Sequence, residues 1–499
     1  MNKLYICGEI ILGDMKELII GRIREQRKLQ DLYESEYAEF LIVYGRRRTG
    51  KTFLVREYFE DKFSFYHTAL SPYEMLDNAE LLLEQQLKKF GDTLRSYGSL
   101  CSGTPKDWFE AFDWLRDLLL KKSQKKRLVV FIDELPWLDT PRSNFVTAFE
   151  HFWNGWGAGR HNLFLIVCGS ATSWIANKLL NNTGGLYGRS TYEMPIAPFS
   201  LRECELFYKK RGLVLDRYDQ LQAYMITGGI PYYLSYFEKG LSLPQNIDAM
   251  FFSSNGKLTN EFERLYSSLF VDSQRYISVV KALSERRDGL TRKEISKKLG
   301  LSSGGGLTEI LRTLEASNLI VSYPIYQGSQ RDVRYKLIDL FSLFYMYFME
   351  SRTTNSRNFW SENHRSPQLN AWRGFAFEEV CYVHQNQLKQ ALGIAGVHTE
   401  IMPWRSKGEN PVQIDMVIDR DDRIINVCEI KFTMDEFTIT KEYDANLRHK
   451  LQVFMDNTKL KRNPHLTLIT TYGLQKNEYS GHVQKSLTMD DLFREEFSY

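Results

Sequence analysis

Three uninterrupted apolar stretches mark the first part of the chain. They cover residues 40–44, 128–132 and 163–168, and polar positions bound each of them. An apolar run of this length, without alternation, is typical of a strand that is buried on both faces of a parallel sheet. Residues 53–59, which come after the first run, have the apolar spacing of a helix instead. The pattern therefore predicts an α/β domain built on a parallel sheet.

The middle of the chain changes to a shorter, mixed pattern. Thr291 and Glu294 have the spacing of a capping box, which predicts the start of a helix that ends near Gly300. Three helical patterns are followed by two short apolar stretches, at residues 276–283, 292–300, 307–315, 319–321 and 335–338. Three helices followed by a β-hairpin are the elements of a winged helix-turn-helix.

Two functions fit this middle segment. One is docking to DNA through the third helix, residues 307–315. That helix is only weakly basic, because Arg312 is offset by Glu309 and Glu315, and a surface that follows phosphates is expected to be richer in Lys and Arg. The other function is that of a spacer or protein-contact domain, and the sequence leaves both open.

The last part of the chain predicts an amphipathic helix and a hairpin. The helix covers residues 372–381, and the two strands cover residues 411–418 and 424–431, with a polar turn between them. Glu429 and Lys431 are two residues apart, so they project from the same face of their strand. The hairpin brings Asp415, on the other strand, beside them.

This grouping predicts a metal site. The carboxylates of Asp415 and Glu429 are ligands for one or two Mg²⁺ ions, Lys431 orients or activates the attacking water, and Glu378 on the preceding helix is a further acid. The alternative is a hairpin with a surface ion pair, which contributes little to stability.

Composition sets the outer limits. A chain of 499 residues has room for about two to four domains. The net charge of +3 neither requires nor excludes nucleic acid. The first fifteen residues form at most a loose strand and carry Glu9 and Asp14, which do not suit a signal peptide, and no apolar run is long enough to span a bilayer. We expect a cytoplasmic protein with no membrane partner.

A glycine-rich loop joins the first predicted strand to the first helix. Strand, loop and helix in this order are the context that a P-loop requires, because backbone amides and a helix N-terminus then surround phosphate oxygens. Lys51 is expected to reach the β- and γ-phosphates of ATP, and Thr52 to place its hydroxyl on Mg²⁺. The predicted nucleotide-binding residues are Gly45, Arg46, Arg47, Arg48, Thr49, Gly50, Lys51, Thr52 and Phe53, with the three arginines facing solvent.

The other two apolar runs end in polar residues. Asp133 and Glu134 follow the second run, at the edge where open α/β sheets bind ligands. Asp133 is the expected metal-side carboxylate, and Glu134 the expected base that polarises the attacking water. Ser170 follows the third run, where its hydroxyl either senses the γ-phosphate or merely caps the next helix.

This order of motifs resembles the AAA+/STAND class of P-loop ATPases. Arg22, in Gly21-Arg22-Ile23-Arg24-Glu25, resembles the box that borders the adenine in that class, and Arg189 resembles an arginine finger or sensor. Pro231, in Gly228-Gly229-Ile230-Pro231, resembles the motif of the helical lid. The plain alternatives are a surface arginine, a salt-bridge partner and a helix stop.

The C-terminal motif, Asp415 with Glu429-Ile430-Lys431, resembles the PD-(D/E)XK nuclease-like fold, although residues 411–414 lack the usual Pro-Asp pair. The whole order resembles a family of prokaryotic ATPases that is well represented in archaea. It implies an α/β fold with four parts. They are a P-loop ATPase core at 16–200, a helical lid at 201–250, a winged helix-turn-helix at 270–345 and a nuclease-like domain at 360–499.

Two functions follow from this reading. The first is an ATP- and Mg²⁺-dependent ATPase that rearranges its lid and winged helix to expose a nuclease-like site to DNA. The second is a nucleotide-controlled signalling switch, oligomeric in a way set by the bound nucleotide, whose C-terminal domain binds a partner without cutting. The intact set of Asp415, Glu429 and Lys431 favours the first.

Overall fold

The computed structural model divides the chain into two compact units, Met1–Ala197 and Pro198–Tyr499. The division lies close to the boundary expected at residue 200. Expectations for the first fifteen residues and for the tip of the middle hairpin fall outside the described residues. Those that the structure describes are 18–71, 79–122, 125–170, 172–180, 185–186, 188–270, 272–301, 304–327, 333–350, 356–406, 411–459 and 461–496.

The first unit is a five-stranded parallel sheet covered by helices. The strand order is β2-β3-β4-β1-β5, and every pairing is parallel. The strands are β1 (Glu39–Tyr44), β2 (Phe63–Thr68), β3 (Leu128–Asp133), β4 (Leu163–Gly169) and β5 (Tyr192–Pro195). The helices are α1 (Ile23–Glu34), α2 (Lys51–Phe59), α3 (Ala79–Ser96), α4 (Trp108–Leu120), α5 (Phe145–Gly155) and α6 (Thr172–Ile175). This architecture confirms the predicted α/β class.

Both faces of this sheet are buried, as the unbroken apolar runs predict. In β1, Phe40 and Ile42 belong to one hydrophobic cluster, whereas Leu41 and Val43 belong to a second cluster. Alternate residues of a strand point to opposite faces, so helices must cover both sides of the sheet. The functional residues are therefore confined to the strand ends and the loops that follow them.

The second unit begins with helices and a small sheet. Helix α13 starts at a complete capping box between Thr291 and Glu294 and ends at Gly300, as predicted. The helices are α7 (Leu201–Lys210), α8 (Arg217–Thr227), α9 (Pro231–Leu234), α10 (Leu243–Ile247), α11 (Glu261–Leu269), α12 (Ser273–Ser284), α13 (Arg292–Leu299) and α14 (Gly305–Ala316). The strands β6 (Leu290–Thr291), β7 (Ile320–Pro324) and β8 (Val333–Leu337) pair antiparallel in the order β6-β8-β7.

A second five-stranded sheet, of mixed direction, follows. Its order is β13-β12-β11-β10-β9. The strands are β9 (Thr399–Arg405), β10 (Gln413–Arg420), β11 (Ile424–Lys431), β12 (Asn463–Thr470) and β13 (Lys485–Leu487). The accompanying helices are α15 (Leu340–Phe348), α16 (Phe359–Asn363), α17 (Pro367–Val383), α18 (Gln385–Ala391), α19 (Lys441–Thr458) and α20 (Met489–Leu492). Within the described residues, no helix is both long and apolar enough to cross a membrane.

Helix α17 corrects one expectation. The sequence predicts an amphipathic helix there, but Phe375 through Tyr382 are all buried. The two glutamates in this stretch, Glu378 and Glu379, therefore lie inside the protein and need partners. Glu379 finds one in Lys336 of β8, 2.9 Å away, in an ion pair that solvent hardly reaches.

Candidate functional site

The loop after β1 has the backbone that a phosphate cradle needs. Gly45 has φ 136° and Gly50 has φ 89°, both in the region that favours glycine. A Cβ added to Gly45 would lie 2.5 Å from the carbonyl oxygen of Ile196, so no side chain fits there. Gly50 turns the chain directly into α2, which begins at Lys51. The N-terminal amides of that helix consequently face the loop, where an anion is stabilised.

Lys51 is held at this loop by backbone oxygens. Its Nζ donates to the carbonyl of Gly45 at 2.9 Å and to that of Arg46 at 2.8 Å. Burial lowers the pKa of this ammonium group. Neutral carbonyls are weaker partners for an ammonium group than charged phosphate oxygens are. The side chain is thus oriented for an anion that would pair with it better.

Thr52 and Asp133, the residues expected to hold the metal, contact each other. The hydroxyl of Thr52 donates to both carboxylate oxygens of Asp133, at 3.1 and 3.0 Å. Burial, and then the charge of Glu134, raise the pKa of Asp133 to about 6. A buried carboxylate beside a hydroxyl offers oxygen ligands that suit Mg²⁺. The ion would also supply a positive charge to balance the buried carboxylate. The residues present therefore fit the expected ion.

Glu134 and Ser170 lie side by side. Ser170 donates from its hydroxyl to one carboxylate oxygen of Glu134 at 2.7 Å, and from its backbone amide to the other at 3.2 Å. This contact arises because β4 lies between β1 and β3. The acidic strand is therefore not the direct neighbour of the P-loop strand. Ser170 is more than a cap, since it fixes the carboxylate expected to act as the base.

The loop arginines are more buried than we expect, and Arg22 is not the surface arginine of the plain alternative. Arg46 is 2% exposed and does not face solvent, while Arg47 and Arg48 are half-buried. Arg22 is buried and donates to the carbonyls of Thr49 at 3.3 Å and Ala197 at 2.6 Å. It is consequently a brace for the P-loop and not a surface arginine.

Three predicted nucleotide residues are not part of this network. Phe53 is half exposed on α2. Arg189 is exposed. Pro231 belongs to the second unit, where it is the first residue of α9 after α8 stops at Gly228. The helix-stop interpretation of this motif is therefore correct as far as the backbone is concerned.

The C-terminal acids meet as the strand pattern predicts. Met416 pairs with Cys428 across β10 and β11, which puts Asp415 next to Glu429. The backbone amide of Ile430 donates to Asp415 at 2.9 Å. The ammonium group of Lys431 lies 2.8 Å from Glu429 and 4.0 Å from Asp415. Two carboxylates and a lysine thus share one face of the sheet.

Two further residues at this site come from α19, and sequence reasoning missed them. Tyr443 donates its hydroxyl to Glu429 at 2.7 Å, and Lys450 lies 3.0 and 2.8 Å from the two oxygens of Glu429. The sequence of residues 441–450 predicts a charged helix that is either a solvated face or a contact of basic residues with a phosphate backbone. A signal was present, since Tyr443 and Lys450 are two helical turns apart and lie on the same face.

The pKa values of the acids at the C-terminal site shift in opposite directions. Burial, and then the charge of Asp415, raise the pKa of Glu378 to about 8. Burial and Glu429 likewise raise the pKa of Asp415. Burial opposes ionisation of Glu429, but Lys431 and Lys450 outweigh it and lower the pKa. Across the described part of the chain, no three His, Cys, Asp or Glu side chains are arranged to hold a metal. A metal at Glu429 would have to displace lysines.

Comparison with known proteins finds similarities for the first region and for most of the chain. Residues 20–237 match a family model described as an ATPase domain predominantly from Archaea. The uncharacterized protein MJECL04 of Methanocaldococcus jannaschii is 25% identical over 426 residues, which are 83% of this chain and 88% of that protein.

Solved structures are similar at lower identity. The Walker-type ATPase PABY2304 of Pyrococcus abyssi is 20% identical with a TM-score of 0.47, over 67% of this chain and 98% of that one. The ORC2 protein of Aeropyrum pernix is 14% identical with a TM-score of 0.36, over 69% of this chain and 95% of that one.

Proposed function

We propose that this protein is a Mg²⁺-dependent ATPase of the AAA+/STAND type, whose nucleotide cycle is coupled to DNA binding or processing through its C-terminal domain. One observation carries the first half. Thr52, the residue after Lys51, donates its hydroxyl to Asp133. Glu134, the residue after Asp133, is held by the hydroxyl of Ser170. The match of residues 20–237 to an archaeal ATPase domain supports the same conclusion.

Each residue of the P-loop site has a separate task in this proposal. Magnesium, when bound, neutralises the charge that develops on the phosphate oxygens. Thr52 and Asp133 would hold the ion, and Lys51 would pair with the phosphates. Glu134 would accept a proton from the attacking water, which requires it to exchange its hydrogen bond with Ser170 for one with water. Arg189 would add positive charge, in its own subunit or in a neighbouring copy of a homo-oligomer.

Substitution of Glu134 tests the ATPase. Glu134→Gln keeps the shape but removes the base, so hydrolysis should fall by about 100- to 10,000-fold while nucleotide binding persists. The measurements are steady-state release of phosphate and calorimetric titration with ATP and Mg²⁺. Glu84→Gln, on the exposed side of α3, is the matched control and should be neutral. Wild-type turnover that Glu134→Gln leaves unchanged would contradict the proposal.

The C-terminal site is proposed to cleave DNA with bound Mg²⁺. Asp415, Glu429 and Glu378 would supply carboxylate ligands only after Lys431 and Lys450 have left Glu429, and Lys431 would then orient the attacking water. Support comes from the shared face of Asp415, Glu429 and Lys431. Asp415→Ala should abolish nicking of plasmid DNA and leave ATP hydrolysis intact. Asp421→Ala, in the exposed turn after β10, is its control. Absence of cleavage by the wild type in every nucleotide state would end this part of the proposal.

The middle segment is better explained as a spacer than as a DNA reader. Its hairpin loop packs on helix α19 of the C-terminal part, where the ring of Tyr326 lies 5.6 Å from that of Phe454. The side-chain amide of Gln327 donates to the carbonyl of Thr458 at 2.7 Å. On α14, Arg312 is 3.0 Å from Glu309, which compensates its charge. Helix α14 therefore offers no surplus positive charge to a groove, because Glu309 and Glu315 outnumber Arg312.

A second candidate function is the signalling switch. The observation that favours it is the occupation of Glu429 by Lys431, Lys450 and Tyr443, since these contacts satisfy the acid without a metal. A switch predicts slow ATP hydrolysis, oligomers that depend on the bound nucleotide, and no effect of Asp415→Ala. Strong stimulation of ATP hydrolysis by DNA would count against it.

A further inference from the structure

Four arginines converge beside the C-terminal acidic site. We call Arg286, Arg287, Arg334 and Arg405 the arginine cluster; the first three belong to the middle segment and the last to β9. Three of them surround Asp288, with Arg334 at 3.2 Å, Arg286 at 3.4 Å and Arg405 at 3.7 Å. The remaining member, Arg287, lies 3.4 Å from Glu378 of the proposed metal site.

The acids of this group lie under the arginines. The side chains of Asp288 and Glu378 are each 8% exposed, whereas those of Arg286, Arg287 and Arg405 are 42%, 46% and 39% exposed. Glu294, 43% exposed, lies 3.5 Å from Arg334, so the positive charge that solvent meets comes from Arg286, Arg287 and Arg405. Exposed guanidinium groups over buried carboxylates keep donors free, because a guanidinium has five N–H groups and one carboxylate engages at most two.

A cavity opens next to the arginine cluster. Its volume is about 310 Å³, and Asp288, Arg334 and Arg405 line it together with Tyr326 and Trp404. Arginine and aromatic side chains together are the usual lining of sites for nucleic acid strands, where guanidinium groups meet phosphates and rings meet sugars or bases. The cavity shares Arg334 and Arg405 with the arginine cluster, and a further member of the cluster, Arg287, contacts Glu378.

We propose that the arginine cluster binds the backbone phosphates of DNA and directs the strand to the site of Glu378 and Asp415. This inference rests on the proposed function in taking DNA as the substrate, and it assigns the contact to a surface other than the third helix. Phosphate contacts fix the register of a strand without reading its sequence. The interaction is accordingly independent of DNA sequence and strongly dependent on salt.

A purely structural role is the competing explanation. Arg405 and Asp288 could simply connect β9 to the middle segment, in which case loss of the arginine would change stability and nothing else. The pairing of Asp288 with Arg334 separates the two explanations, because that ion pair remains when Arg286 and Arg405 are both replaced. The fold is then expected to persist while the exposed charges are gone.

The test is a binding experiment on the full chain carrying Arg286→Gln and Arg405→Gln together. Anisotropy of a fluorescent duplex of random sequence is measured in EDTA over a range of salt concentrations, so that no cleavage is needed. Each lost phosphate contact lowers the slope of log affinity against log salt by about one, so the slope should fall by about two and the affinity at low salt by about tenfold or more. The pair Arg286→Lys and Arg405→Lys keeps the charge and should retain most of the slope.

Arg312→Gln on α14 and Arg275→Gln at the start of α12 are matched controls that should bind like the wild type. A double glutamine variant that binds with wild-type affinity and slope overturns the inference, as does a wild type that binds no duplex at low salt. Loss of binding in the Arg312 variant alone assigns the contact to α14 and overturns it too. Cleavage is read separately with Mg²⁺, so a wild type that binds through the arginine cluster but never cuts refutes only the proposed nuclease.

Discussion

The two acidic sites of this chain differ in how their charges are satisfied. In the P-loop site, Asp133 accepts from neutral donors, the hydroxyl of Thr52 and the backbone amide of Glu134, and Lys51 donates to backbone carbonyls. In the C-terminal site, Glu429 holds two ammonium groups and a phenol. In the first site, Mg²⁺ would pair with the carboxylate of Asp133, and a phosphate would pair with the ammonium group of Lys51. The second is already neutralised by its own side chains.

The P-loop site is therefore arranged to receive charged ligands, whereas the C-terminal site would first have to lose its internal ion pairs. A carboxylate whose pKa burial has raised gains most when a cation arrives. An ion pair that is already complete gains little, because the incoming ion must first displace a lysine. Under the proposed function, the C-terminal site would bind a metal only after another event, such as the arrival of DNA phosphates, draws the lysines away.

The largest expected effect comes from removing the ammonium group of Lys51 from the P-loop site. Lys51→Ala should weaken binding of ATP with Mg²⁺ by about 100-fold, because a buried ammonium group is lost from the phosphates. Calorimetric titration measures it. Lys88→Ala on the exposed face of α3 is the control. Equal affinity in the two variants would show that the nucleotide, if bound at all, lies elsewhere.

Removal of the buried charge at Asp133 should stabilise the protein. Its pKa of about 6 in the folded state exceeds the ordinary 3.8, so the folded state binds more protons between about pH 4 and pH 6 and stability falls as pH rises through that window. Asp133→Asn should therefore gain roughly 2 kcal/mol at pH 7, shrinking toward zero at about pH 4. The measurement is thermal unfolding, read at the transition whose midpoint ADP shifts. Asp117→Asn is the control. A variant less stable at pH 7 than at pH 4, relative to the wild type, would contradict it.

The closed site should open when one of its lysines is removed. Lys450→Met takes an ammonium group from Glu429, and the affinity of the second unit for Mn²⁺ should rise by about tenfold. Lys441→Met is a control on the same helix, because this lysine lies at the exposed start of α19. The readout is the electron paramagnetic resonance signal of free Mn²⁺. If both variants bind like the wild type, Lys450 does not compete with the ion.

The smallest expected effect concerns Ser170. Ser170→Ala removes the hydroxyl that fixes Glu134, so hydrolysis should fall by about tenfold or less, with the nucleotide affinity nearly unchanged. Ser170→Thr keeps the donor and should retain most of the activity. Measured turnover and affinity separate this positioning role from nucleotide binding. A loss as large as that of Glu134→Gln would instead put Ser170 among the residues that touch the reacting groups.

Local patterns predicted the parts of both sites that are close in sequence. The P-loop could be predicted because Gly45 to Thr52 are contiguous, and the pair of Glu429 and Lys431 because a strand repeats every two residues. Lys450 and Tyr443 were missed because their helix reaches Glu429 only through tertiary packing. The burial of Arg46 was missed for the same reason, since nothing in a run of three arginines tells which of them turns inward.

Arg287 illustrates the same limit at longer range. It approaches Glu378 across 91 positions of sequence, and no periodicity links the two. The parallel sheet, in contrast, follows directly from apolar runs that must be covered on both faces. What the sequence could not supply is the choice of counter-ion for each buried acid, and that choice is what distinguishes the two sites.

Counting bound Mn²⁺ ions tests this difference most directly. Wild-type protein is titrated with Mn²⁺ in the absence and in the presence of ADP, and the free ion is read by electron paramagnetic resonance. We predict no tightly bound ion without nucleotide, and one per chain with it, lost in Asp133→Asn. An ion bound as tightly without nucleotide and retained in Asp133→Asn, or none bound even with ADP, would contradict the account.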